Sequence, residues 1–288
     1  MKVFVTGVAG QLGHDVVNEL TKRGHTAIGS DLLAPHYALD ITDRDAVFAA
    51  IGDVKPDAVI HCAAWTAVDA AEDCEDKVRA INAAGAQNIA DACKQFGCKM
   101  MYISTDYVFS GQGETPWKPD CKDYAPLNVY GKTKLEGELA VASTLEQYFI
   151  VRIAWVFGKN GKNFIKTMLA LSEKYENLRV VCDQIGTPTY TFDLARLLVD
   201  MIETTKYGYY HATNEGSYIS WADFAAEIFR QAGKNTTVTP VTTAEYGLSK
   251  ATRPFNSRLD KSKLVINGFT PLPAWQDALS RYLKEIED

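Results

Sequence analysis

Apolar residues in the first half of the chain fall into short unbroken runs separated by stretches of helical spacing. Residues 2–6 form one such run, and Leu12, Val16, Val17 and Leu20 then recur at the helical period within 11–24. The same reading predicts strands over 26–30, 58–62, 99–104 and 148–153, and helices over 43–51, 75–96 and 129–142. Strands without polar alternation are buried on both faces, so the pattern points to an α/β fold of the Rossmann type, a doubly wound parallel sheet with helices on both sides. Right-handed crossovers would bring the strand C-termini to one edge, where ligands bind.

The alternation loosens after Trp155. A strand is expected over 178–182 and helices over 192–203 and 221–231, with Pro188, Pro240, Pro254, Pro271 and Pro273 breaking up the remainder. Residues 1–153 therefore read as the main domain, with elements near 191–211 returning to it. Most of 154–288 reads as a smaller C-terminal lobe that covers the substrate. No repeat or linker separates the two.

Composition narrows the picture. The 288 residues are 47% hydrophobic and 23% charged, with a net charge of −6, which argues against nucleic acid as a partner. No apolar run approaches the ~18 residues of a membrane span. Met1 and Lys2 lead directly into a strand, so no export signal is expected. Cysteines stand at 62, 74, 93, 98, 121 and 182 without a CxxC pair, a pattern of reduced thiols in a cytoplasmic protein with no metal centre.

The first strand leads into Thr6-Gly7-Val8-Ala9-Gly10-Gln11-Leu12-Gly13. In this variant of the dinucleotide fingerprint, Gly7 turns the chain and Gly10 admits a pyrophosphate to the backbone amides. Gly13 lets the helix pack closely on the sheet. The helix N-terminus adds free N–H groups and a positive dipole end. Asp31, closing the second strand, can accept hydrogen bonds from the adenosine ribose and would repel a 2′-phosphate. His36 and Arg44 follow it and could relieve that repulsion, so NADH and NADPH both stay open.

Tyr130 and Lys134 are four apart on a helix and share a face, whereas Lys132 points elsewhere. A nearby ammonium, helped by the positive nicotinamide ring, favours the phenolate, so Lys134 is expected to lower the tyrosine's ordinary value of about 10 and can also hydrogen-bond the nicotinamide ribose. Tyr130 could then protonate a carbonyl oxygen as hydride reaches its carbon. Thr105, at the end of a buried strand, is expected to bond the substrate oxygen and hold it beside Tyr130. A Tyr-x-x-x-Lys spacing arises often by chance; its company here makes it informative.

That company resembles the extended short-chain dehydrogenase/reductases, and among them the reductases of a dTDP-linked deoxyhexulose. The likeness rests on AAWTAVD at 63–69, STDYVF at 104–109, PLNVYGKTKLEGE at 126–138, RIAWVF at 152–157, NF at 163–164, DQIGTPT at 183–189 and RPFNSRL at 253–259. It implies reduction of a 4-keto sugar, with Tyr130 as proton donor, Lys134 as its partner and Thr105 as the tuning hydroxyl. Gly10, Gln11 and Leu12 would meet the pyrophosphate. Asp31, Asp40 and Ile41 would surround the adenosine, and Ala63, Ala64 and Thr66 would line the cofactor. Val68, Asp106, Tyr107, Asn128 and Trp155 would face the sugar. Arg253 would grip the substrate's phosphates through its guanidinium fork.

There are departures. Trp65 stands where the group often has His. Some members dimerise around magnesium held by glutamates; here Asp15 and Phe192 occupy two of those positions and no third ligand is evident, so a monomer or a metal-free homodimer is expected. Two other readings differ in kind. Epimerisation or 4,6-dehydration would call for further acid–base groups, but Tyr107 follows Asp106 where a dehydratase has Glu. A cofactor-binding regulatory subunit like that of methionine adenosyltransferase would not need the intact Thr105, Tyr130 and Lys134.

Overall fold

The computed structural model describes residues 1–33 and 37–287, so His36 lies outside the described residues. Seven strands form the central sheet: β1 (Lys2–Thr6), β2 (Thr26–Asp31), β3 (Tyr37–Ala38), β4 (Ala58–His61), β5 (Lys99–Thr105), β6 (Tyr148–Ile153) and β7 (Gly208–His211). They run parallel in the order β7-β6-β5-β4-β1-β2-β3, the doubly wound arrangement expected from the sequence. The winding reverses between β1 and β4, which opens a crevice at their C-terminal ends.

Alternation along each strand decides which helices it meets. Val3 and Val5 of β1 pack with Leu12, Val16 and Leu20 of helix Gln11–Lys22 and with Leu194, Leu197 and Leu198 of helix Thr191–Ile202. Phe4 points the other way, into a core with Val47 and Ile51 of helix Arg44–Val54 and Ile89 and Cys93 of helix Gly85–Phe96. Asp43 caps the Arg44–Val54 helix by accepting from the Ala46 amide at 3.0 Å, where its sequence placed it at the helix start.

The stretch 75–96 is helical throughout but widens to a π-turn over Ala80–Ala84. Buried Asn82 in that turn accepts from the Trp65 amide (2.8 Å) and donates to the Trp65 carbonyl and to the Thr133 hydroxyl (3.2 Å each). It thereby fixes the loop after β4 to the helix Val129–Thr144. A separate apolar cluster including Phe157, Ile165, Phe224, Ile228, Trp275 and Tyr282 lies in the second half of the chain, which also forms the parallel pair Asn177–Val181 and Thr237–Val241.

Candidate active site

A cavity of about 1190 Å³ runs along the crevice at the sheet's C-terminal edge. At one end Gly7, Gly10, Gln11, Leu12 and Gly13 line it, with Asp31, Asp40 and Ile41 beyond them; Ala63, Ala64, Thr66 and Val68 form the next part of its wall. The glycines are sterically required. Gly7 has φ +73°, and a Cβ there would lie 2.7 Å from the Ala63 nitrogen. A Cβ on Gly13 would overlap the Gly7 carbonyl oxygen. This bare cradle at the head of a 12-residue helix fits the diphosphate of a dinucleotide. Asp31 is tied down, accepting from the amides of Ala9 (2.9 Å) and Leu32 (2.8 Å). Arg44 is turned to Asp91 at 2.5 Å and does not line the cavity.

At the other end Thr105, Asp106, Tyr107, Tyr130, Lys134 and Trp155 come together from three segments. Helix Val129–Thr144 supplies Tyr130 and Lys134 on one face, and the exposed Lys132 points away. Lys134 is buried, donating to the Ile103 carbonyl at 2.7 Å above the Tyr102 ring. Burial pushes its ammonium down to about 7, against the opposing pull of Glu138.

Burial also raises the Tyr130 phenol above its ordinary value; a hydrogen bond with Thr105 works in the lowering direction. Loss of solvent around the phenol dominates, with Asp106 and Tyr107 acting in the same raising direction. Thr105 is held by its own turn: its hydroxyl donates to Asp106 at 3.0 Å and accepts from the Tyr107 amide at 3.2 Å. Burial raises Asp106 to about 6, while Ser257 and Thr105 favour its charged form.

Trp155 takes φ +51°, a conformation a bulky residue rarely adopts. Thr189 holds it there from both sides, its amide donating to the Trp155 carbonyl (3.1 Å) and its hydroxyl to that of Ala154 (2.5 Å). The indole then stacks on Trp221 at 3.8 Å and 16°, at the head of helix Trp221–Gln231 and on the cavity wall.

Two expected contacts are not on that wall. Asn128 caps the Val129–Thr144 helix, accepting from Gly131 and donating to the Thr252 carbonyl, both at 2.8 Å. Arg253 is engaged by Asp69 (2.7 Å) and the Tyr107 hydroxyl (3.2 Å), behind the lining. Conversely Ser30, Cys62, Lys77, Ser104, Lys162 and Trp221 line the cavity without having been singled out. Only Ser104 carried a signal, its place beside Thr105 at a strand end.

A doubly wound sheet, a glycine cradle and a buried Tyr–Lys pair on one cavity define the class of short-chain dehydrogenase/reductase sites. The chain belongs to the family described as the RmlD substrate binding domain, whose model matches residues 1–287. It is 39% identical to the spore coat polysaccharide biosynthesis protein SpsK of Bacillus subtilis (strain 168), covering 99% of this chain and 97% of that one. It is 38% identical to a dTDP-4-dehydrorhamnose reductase of Aggregatibacter actinomycetemcomitans, covering 96% and 97%. A solved dTDP-4-dehydrorhamnose reductase of Bacillus anthracis str. Ames, in complex with NADP, superposes with TM-score 0.93 at 41% identity, covering 99% and 100%.

Proposed function

We propose that the chain reduces the 4-keto group of dTDP-4-dehydro-β-L-rhamnose to give dTDP-β-L-rhamnose, as its reductase relatives' names indicate for them. The observation that carries this reading is one cavity with the glycine cradle at one end and Tyr130, Lys134 and Thr105 at the other. The dinucleotide bound there, NADH or NADPH, supplies the hydride. Tyr130 holds its proton at neutral pH, as a donor to a developing alkoxide must. Lys134 places positive charge beneath the reacting end, and the Thr105 oxygen orients the Tyr130 hydroxyl. Ala63, Ala64 and Thr66 would flank the nicotinamide half, and Asp31, Asp40 and Ile41 the adenosine.

Val68, Asp106, Tyr107 and Trp155 would face the sugar. Asn128 and Arg253 would act through others, Asn128 by capping the catalytic helix and Arg253 by holding Tyr107. The residues of 154–288 outside 191–211 would serve as the substrate lobe, with Trp155 on Trp221 as its contact with the reacting end. Among the described residues no helix is long and apolar enough to cross a membrane, and all six cysteines are free thiols, which suits work in the cytoplasm. The test follows NAD(P)H absorbance with freshly generated dTDP-4-dehydrorhamnose and each dinucleotide in turn. Oxidation with at least one is expected; none with either would overturn the assignment.

A further inference from the structure

The helix that carries Tyr130 and Lys134 holds another charged residue one turn beyond the lysine. Glu138 is fully buried and grips the fully buried Arg152 of β6 with two hydrogen bonds, Nε to Oε1 at 2.8 Å and Nη2 to Oε2 at 2.7 Å. Arg152 spends its other donors on the Pro119 carbonyl (3.1 Å) and the Tyr124 hydroxyl (3.2 Å). Its guanidinium lies 4.8 Å from the ring centres of both Phe109 and Tyr209. In the sheet Arg152 is the register partner of Ser104, next to Thr105. The pair therefore fastens the catalytic helix to the sheet beside the strand end that supplies the tuning hydroxyl.

Stability is a poor account of such a pair. Removing two charges from water offsets most of their attraction, and apolar replacements of similar size are often as stable. Its setting offers a better one. His61 at the end of β4 and Cys62 just after it face Lys134, Tyr102 faces it from β5, and Tyr130 stands one turn before it on the same helix. Burial keeps each of these uncharged near neutrality, with Cys62 pushed up to about 12, His61 down to about 3, and both tyrosines raised. Among the described residues Glu138 is the one anion that bears on Lys134, and it opposes the effect of burial on the ammonium. Around Glu138 itself stand Lys134, Arg152 from β6, Tyr209 from β7 and Tyr102 from β5, with Tyr124 and His211 against the arginine.

We propose that Glu138, oriented by Arg152, is a positioning residue that supplies the buried negative charge holding the Lys134 ammonium in place beneath Tyr130. The proposal deepens, and rests on, the reading of Tyr130 and Lys134 as the proton-handling pair. Arg152 has one task in it: its two hydrogen bonds fix the carboxylate oxygens so that the charge stays on the lysine's side of the helix.

The test is the pH profile of kcat/KM for the full chain, measured with dinucleotide and dTDP-4-dehydrorhamnose. Glu138→Gln keeps size and hydrogen bonding while removing the charge. Its alkaline limb should move to lower pH by about one unit, a roughly tenfold loss on that limb, with dinucleotide affinity unchanged. A folded, active variant whose limb coincides with that of the parent would overturn the proposal. Should the unpaired arginine prevent folding, Glu138→Gln with Arg152→Met removes both charges at similar volume. That double variant should also lie below the parent, and coincidence with the parent would again overturn the proposal. Lys134→Met separates the two levels. If it retains the limb, the underlying lysine assignment fails; if it abolishes the limb while the Glu138 variants leave it in place, only the role of Glu138 fails.

Discussion

Thr105 donates its hydroxyl proton to Asp106 across 3.0 Å, and the second oxygen of that buried carboxyl has no hydrogen-bond partner among the described residues. The direction of this bond sets what Thr105 offers Tyr130. While Asp106 is ionised it draws the threonine proton, and the threonine oxygen, which accepts the Tyr107 amide at 3.2 Å, keeps one lone pair for a further donor. Burial places the Asp106 change near pH 6, so this ordering is lost as the pH falls through about 6. The kcat/KM for reduction should show an acid limb there, and Asp106→Asn should flatten it. The same limb in the asparagine variant would assign it to another group.

Tyr130→Phe removes the proton donor and leaves the ring that packs at 5.5 Å against Tyr107. General-acid assistance is typically worth about 10²- to 10⁴-fold, so kcat should fall by about 10³. Dinucleotide affinity, measured by fluorescence titration, should stay near that of the parent because the cradle is untouched. Turnover at the parental rate would mean that a different group supplies the proton.

Much of this site was legible because its physics is local. The parallel sheet followed from apolar runs without polar alternation, and the cradle from glycines at a strand-to-helix turn. Tyr130 and Lys134 followed from the helical period. What escaped the sequence depends on contacts between distant segments. Nothing in Trp221 marks it as a cavity residue until the left-handed backbone at Trp155 brings the two indoles together. The π-turn over Ala80–Ala84 has no Gly or Pro to announce it, yet through Asn82 it anchors the loop that carries Trp65. Asn128, directly before a helical run, is in the position of a cap, and it caps the Val129–Thr144 helix. The direction of the Tyr130 shift was likewise beyond spacing, because it turns on burial.

Asp31 bears on cofactor choice. Both its oxygens accept backbone amides, which fixes a negative charge at the adenosine end of the cavity. Asp31→Ser should raise kcat/KM with NADPH relative to NADH by about tenfold, since removal of a nearby like charge is commonly worth about 1.4 kcal/mol. Affinity for both should weaken somewhat as the Ala9 amide loses its partner. An unchanged ratio would place cofactor discrimination elsewhere.

Gly13→Ala tests the cradle. The added Cβ would overlap the Gly7 carbonyl oxygen and crowd Val8, so either the turn or the helix must shift. Forcing a methyl into such a contact typically costs about 1–3 kcal/mol. The melting temperature should fall, and dinucleotide affinity should fall with it. A variant that binds as the parent does would show that the cradle has slack the close contacts do not suggest.

His61 makes a prediction about acid stability. It is fully buried at the end of β4, paired with the Thr6 hydroxyl at 2.8 Å and stacked on Tyr102. Burial, helped by the nearby Lys134 charge, lowers it to about 3, whereas in the unfolded chain it titrates near 6.5. Below about 6.5 the unfolded chain therefore takes up a proton that the folded chain refuses until about 3. The sign follows: His61 costs no stability above about 6.5, and stability is lost progressively as the pH falls toward 3, by up to about 1.4 kcal/mol per unit. His211, also buried and held low, acts in the same direction, while Asp106, held high, acts in the opposite one. Thermal melts from pH 7 to pH 5 should show a falling midpoint, and His61→Asn should make that fall shallower while preserving a partner for Thr6. Parallel falls in parent and variant would remove His61 from the account and leave His211 as the group to test.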